Sequence, residues 1–151
     1  MIDIDLQMLT DRLGQEIAVS DWLDVSQSRI DQFAEATIDS QWIHVDPARA
    51  AVESPFKTTI AHGFLTLSLL SPLIRESMRM RGLRMAINYG LNRVRFVSPV
   101  PAGSRIRARI TVVAVEEVTG GFQVTWQVTI DREQGGKPAC IADWLVRYYP
   151  E

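Results

Sequence analysis

The chain has 151 residues, 46% hydrophobic and 23% charged, which fits one folded domain over residues 1–151 and excludes disordered and low-complexity classes. A single cysteine, Cys140, excludes an internal disulfide and a multi-cysteine zinc site. The net charge of −2 hides an asymmetry: residues 1–74 sum to −7, residues 75–109 to +8 (nine arginines against Glu76), and residues 110–151 to −3. The basic block invites an anionic partner. The competing expectation is arginines on solvated strand faces with acidic partners opposite.

No apolar run approaches the roughly 18 residues of a membrane span. The acidic opening MIDIDLQMLTDRLG lacks a signal-peptide core, so a cytoplasmic chain with no membrane association is expected. In chain order, the pattern predicts a short helix over Asp3–Leu13 ended by Gly14, then a strand-like segment over Gln15–Val25. Ser26 or Ser28 caps a helix with Ile30, Phe33 and Ala34 on one face, fading at Thr37–Ile38. Asp39–Asp46 reads as a loop. Asp46-Pro47 starts a short helix to Val52, with aspartate as cap and proline at its first position. The run from Gly63 to Ser71 is apolar nearly all round and predicts a buried helix. Pro72 kinks it, and Leu73–Met80 carries it to the surface. After Gly82 the period becomes two. Met85–Val97, Ser104–Val118, Gly121–Asp131 and Pro138–Tyr149 read as long strands, with an exposed bend at Pro99 and Pro101. The fold class is therefore α+β: one long helix on a curved antiparallel sheet of about five strands.

Chemistry concentrates in two short segments. Asp39 and His44 are close enough in chain to converge on one water, where a carboxylate and an imidazole can share acid–base work near neutral pH. The plain alternative makes Asp39 a turn residue and His44 a packed ring. At Ala61-His62-Gly63 a helix begins, and its unpaired N–H groups and dipole favour a carbonyl oxygen that gains negative charge. Ser68, further along that helix, either points to the site or bonds back to its own backbone. There is no nucleophile elbow, phosphate loop, Cys-x-x-Cys pair or His-Glu-x-x-His pattern, and no metal site is expected.

Asp39-Ser-Gln-Trp-Ile-His44-Val-Asp46-Pro47, then Ala50-Ala51, then Ile60-Ala-His62-Gly63-Phe-Leu-Thr66, resembles the MaoC-like dehydratases, the (R)-specific enoyl-CoA hydratases. The resemblance spans about Gln15 to Tyr149. Gln41-Trp42 stands where the commoner pattern has Asn-Pro, which is similar to the NodN-like branch. This resemblance implies a hot-dog fold and a homodimer with the active site at the interface. It implies reversible hydration of a trans-2-enoyl-CoA to an (R)-3-hydroxyacyl-CoA, with CoA entering as part of the substrate and no separate cofactor. Asp39 and His44 would hold the water, the Gly63 N–H would bond the thioester oxygen, and Ser68 and His62 would support the geometry. Asn92 would lie near the site. Trp42, Phe56 and Phe64 would line the acyl pocket. Arg84, Arg93 and Arg95 would run beside the CoA phosphates, with Arg93 and Arg95 on one strand face.

Two other functions compete. A thioesterase is disfavoured, because the first helix turns (Phe64, Leu65, Thr66, Leu67, Ser68) carry no carboxylate. A non-catalytic acyl-CoA-binding protein is the other. Nucleic-acid binding is not expected, because the arginines are spread over several elements without a recognised module.

Overall fold

The computed structural model describes residues 1–151. It opens with a strand, β1 (Ile2–Ile4), where a helix was expected from Asp3. Ile2 and Ile4 alternate, and β1 pairs in parallel with Met78–Met80. Asp5 then accepts from the Met8 N–H as a cap, so helix α1 spans Leu6–Asp11. The strand-like segment divides into β2 (Glu16–Val19) and β3 (Leu23–Val25). Between them Ser20 turns inward, and its hydroxyl accepts from the Ala108 N–H. Ser26 rather than Ser28 caps α2 (Gln27–Thr37), accepting from the Arg29 N–H.

Part of the expected Asp39–Asp46 loop is a helical turn, α3 (Trp42–Val45), which carries His44. The Asp46 carboxylate accepts from the Arg49 N–H and starts α4 (Pro47–Glu53). The central helix comes in two pieces, α5 (Gly63–Ser68) and α6 (Leu70–Ser77). Pro72 is four residues past Ser68 and has no N–H for its carbonyl, so the helix breaks at Leu69. It also stops at Ser77 rather than Met80, because Met78–Met80 leaves as strand β4 to meet β1.

The second half follows the two-residue period. Four long strands, β5 (Leu83–Phe96), β6 (Ser104–Val118), β7 (Gly121–Arg132) and β8 (Cys140–Pro150), join β2 in one antiparallel sheet of order β2-β6-β7-β8-β5, and β3 adds a sixth strand on β6. Ile106, Ala108, Ile110 and Val112 share a face with Phe122, Val124, Trp126, Val128 and Ile130, and all are buried. Leu65, Leu69, Leu70 and Leu73 of the central helix complete that core. Gly121 is required by close packing: a Cβ there would lie 2.1 Å from the Tyr148 carbonyl oxygen. The bend after β5 is not exposed, since Val100 is buried, its carbonyl accepts from the Ala61 N–H, and Pro101 bridges Ile60. This six-stranded sheet around an interrupted helix is the hot-dog arrangement.

The candidate active site

Three chain segments meet at the start of α5. The end of α2 delivers Asp39, α3 delivers His44, and the Ala61–Gly63 step delivers His62 and the first helical N–H. His44 is 7% exposed and His62 3%. The His44 Nδ1–H donates to the Ile60 carbonyl at 2.7 Å, which leaves the lone pair on Nε2. The His62 Nε2–H donates to the Asp39 carbonyl at 2.9 Å, which leaves Nδ1 bare, buried and without a partner. The two rings stack with centroids 3.8 Å apart at 24°, and Phe33 packs against His62 at 4.9 Å. The Asp39 side chain is exposed, so the acid faces solvent while the imidazoles are held dry.

Burial lowers the His44 pKa from 6.5, and His62 pushes the same way, while the Ile60 carbonyl and Asp39 oppose them. His44 is thus a neutral base at physiological pH. Ile38, the C-cap of α2, sits at φ 59 directly before Asp39. A β-branched residue is uncommon in that left-handed region, so strain is stored beside the acid. Asp39, His44 and His62 offer possible metal-ligand atoms within 4.8 Å of one another. The His44 Nδ1–H and the His62 Nε2–H are already spent on carbonyls, which leaves one free ring nitrogen on each imidazole.

His44 and Gly63 line a cleft of about 300 Å³ with Phe56, Thr66, Phe96 and Val100. Gly63 leads α5, with its N–H unpaired at the helix start. A Cβ at Gly63 would lie 2.8 Å from the Phe96 ring, so the small residue is needed for the ring to cover the helix start. A larger hollow of about 550 Å³ lies at the other end of the central helix, between α6, β1 and β5, and carries no histidine or acid. His44 and Gly63 line the smaller cleft and not the larger one.

Several expected residues fall outside that cleft. Ser68 is exposed, and its hydroxyl donates back to the Phe64 carbonyl at 2.7 Å. Trp42 packs under the Arg49 guanidinium at 4.4 Å. Phe64 is 69% exposed, so of the three expected aromatics only Phe56 lines the cleft. Asn92 is the extra residue of a bulge on β5, between the Leu91–Trp144 and Arg93–Asp143 pairs. Val94 and Phe96 lie on the face turned to the helix, so alternation puts Arg93 and Arg95 on the outer face, away from the cleft of their own chain. Sequence reasoning missed the Ile60 carbonyl, Phe33, Thr66 and Phe96. Thr66 was findable, being one turn past Gly63 on the same helix face.

Fold and site together define a hot-dog protein that gathers a carboxylate and two imidazoles at the start of a helix. Residues 9–134 match the family model described as MaoC like domain. The chain is 51% identical over 136 residues to 3-hydroxyacyl-thioester dehydratase Z of Mycobacterium tuberculosis (strain ATCC 25618 / H37Rv), covering 89% of each. It is 48% identical over 147 residues to nodulation protein N of Rhizobium leguminosarum bv. viciae, covering 96% of this chain and 91% of that one. The (R)-hydratase from A. caviae involved in PHA biosynthesis superposes with a TM-score of 0.69 at 28% identity, covering 91% of this chain and 96% of that one. The chain belongs to the MaoC-like dehydratase family, and it is a hydro-lyase.

Proposed function

We propose that the protein is an (R)-specific enoyl-thioester hydratase, run in reverse as a 3-hydroxyacyl-thioester dehydratase, with acyl-CoA as its substrate. The observation that carries the reading is the bare His44 Nε2 beside Asp39 and the Gly63 N–H, with His44 and Gly63 in one cleft. Water lies between Asp39 and His44. His44 Nε2 takes a proton as the water oxygen bonds C3, and the double-bond electrons move to the thioester oxygen. The Gly63 N–H holds that enolate charge. The imidazolium, offset by the Asp39 carboxylate, returns the proton to C2 on the same face, so H and OH add syn.

The working unit in this reading is a homodimer. Its support is the bare edge of β5, where Met85, Ile87, Leu91 and Phe96 are all exposed at the end of the sheet order. A second copy of the chain would cover them and close the site. A cytoplasmic setting fits a CoA substrate, and no helix is long and apolar enough to cross a membrane.

The test is hydration of trans-2-enoyl-CoA substrates from short to long chains, with chiral analysis of the product. The reading expects the (R)-3-hydroxyacyl thioester. Release of free thiol without hydration would replace it with a thioesterase, and thermal stabilisation without turnover would replace it with a binding protein. The acid limb of kcat/KM should lie below pH 6.5, because burial holds His44 neutral. The same depression makes the folded state bind fewer protons than the unfolded one, so stability falls as pH drops below 6.5 through the folded pKa. A pH-rate profile and thermal melts across pH 5–8 check both.

A further inference from the structure

His62 is tied to all three working parts of the site. Its Nε2–H donates to the Asp39 carbonyl, its ring face carries the His44 ring, and its own peptide leads into the Gly63 N–H. Phe33 closes its side at 4.9 Å. Its Nδ1 is nevertheless buried with no partner. A buried polar atom without a partner is a cost that a purely structural position sheds, because an apolar ring would fill the same space. What an apolar ring cannot supply is an N–H aimed at Asp39 together with a flat face for His44.

We propose that His62 is a positioning residue that joins the Asp39 main chain, the His44 ring and the Gly63 N–H into one rigid unit. The side chain does not touch the reacting atoms. The inference rests on the hydratase reading for its kinetic arm and is independent of it for its spectroscopic arm. The charged or titratable groups that bear on His44 are Asp39, from the end of α2, and His62 itself. Its remaining contacts are uncharged: the Ile60 carbonyl and, from α2, the Gln27 side-chain amide on the His44 carbonyl.

The experiment compares His62→Phe with His62→Gln. Phenylalanine keeps a ring for the stack and loses the donor. Glutamine places an amide N–H near the position of Nε2. Thermal melts confirm that each variant folds, and 15N NMR titration follows His44. The expected result is a fall in kcat for crotonyl-CoA hydration of at least about 10-fold in His62→Phe, with KM within twofold. Glutamine should recover part of that loss. The His44 titration should move to higher pH in His62→Phe, because a neighbour that opposes its protonation is gone. A His62→Phe enzyme within twofold of wild-type kcat, or equal losses with Phe and Gln and an unmoved His44 titration, overturns the proposal. If the wild-type protein hydrates nothing, the hydratase reading fails and the His44 titration alone decides the role of His62.

Discussion

Two strands of the main sheet, the covered β6 and the edge strand β5, use arginine in opposite ways. On β6, Arg105 pairs with Glu133, Arg107 with Asp131 and Arg109 with Glu16. Arg107 also lies over Trp22 at 4.5 Å, and β2 and β3 cover the strand's backbone. On β5, Arg84, Arg93 and Arg95 make no ion pair within the chain, and the strand's outer backbone is bare. Arg79 and Arg81, on the way into β5, share Asp3, whose pKa is lowered to about 2 by those two side-chain hydrogen bonds. The basic block thus splits in two. Five of its nine arginines meet acids from the flanking segments, the plain outcome expected of solvated strand faces. The rest, including all three on the uncovered edge, are left unspent. What distinguishes β5 is what it lacks, a covering strand, together with its row of exposed apolar side chains.

The sharpest way to break this comparison is to charge the bare edge. If the chain pairs through this edge as the proposed homodimer, the double variant Ile87→Glu/Leu91→Glu should sediment as a monomer and lose at least about 10-fold in hydratase activity. A variant that stays dimeric and active would put the subunit joint elsewhere. Charge loss on the covered strand β6 should do less. Arg107→Ala removes the Trp22 contact and the Asp131 pair, for about 1 kcal/mol of stability by thermal melt, with the oligomeric state unchanged. Smallest is neutralisation on the outer face of β5. Arg93→Gln and Arg95→Gln should leave KM for the CoA thioester within about twofold at low salt. A larger rise would bring those arginines within reach of CoA phosphates in the assembled protein.

The long strands were legible because β-branched and aromatic residues alternate through them. The boundaries of β6 are the same in the sequence pattern and the structure, Ser104–Val118. The end of α2 was readable from its fading apolar periodicity, the Asp46 cap from cap chemistry, and the Pro72 interruption from a missing N–H. β1 was not, because a three-residue strand is decided by its distant partner Met78–Met80 rather than by its own pattern. The turn holding His44 was hidden for a similar reason: α3 is a single turn, whose backbone is set by packing against α2. Motif spacing located Asp39, His44 and Gly63. It could not show that Ser68 bonds its own helix or that Arg93 turns outward, since strand bulges shift the facing of side chains without a clear mark in sequence. The two stacked imidazoles bring together residues 18 positions apart, a contact that only the folded chain defines.

The central claim is that Asp39 and His44 activate one water. The most direct measurement is the loss of enoyl-thioester absorbance with crotonyl-CoA for Asp39→Asn and His44→Gln, each first shown to melt like the wild-type protein. The account predicts a loss of at least about 100-fold in kcat for either variant. Turnover within a few-fold of wild type in both would contradict it.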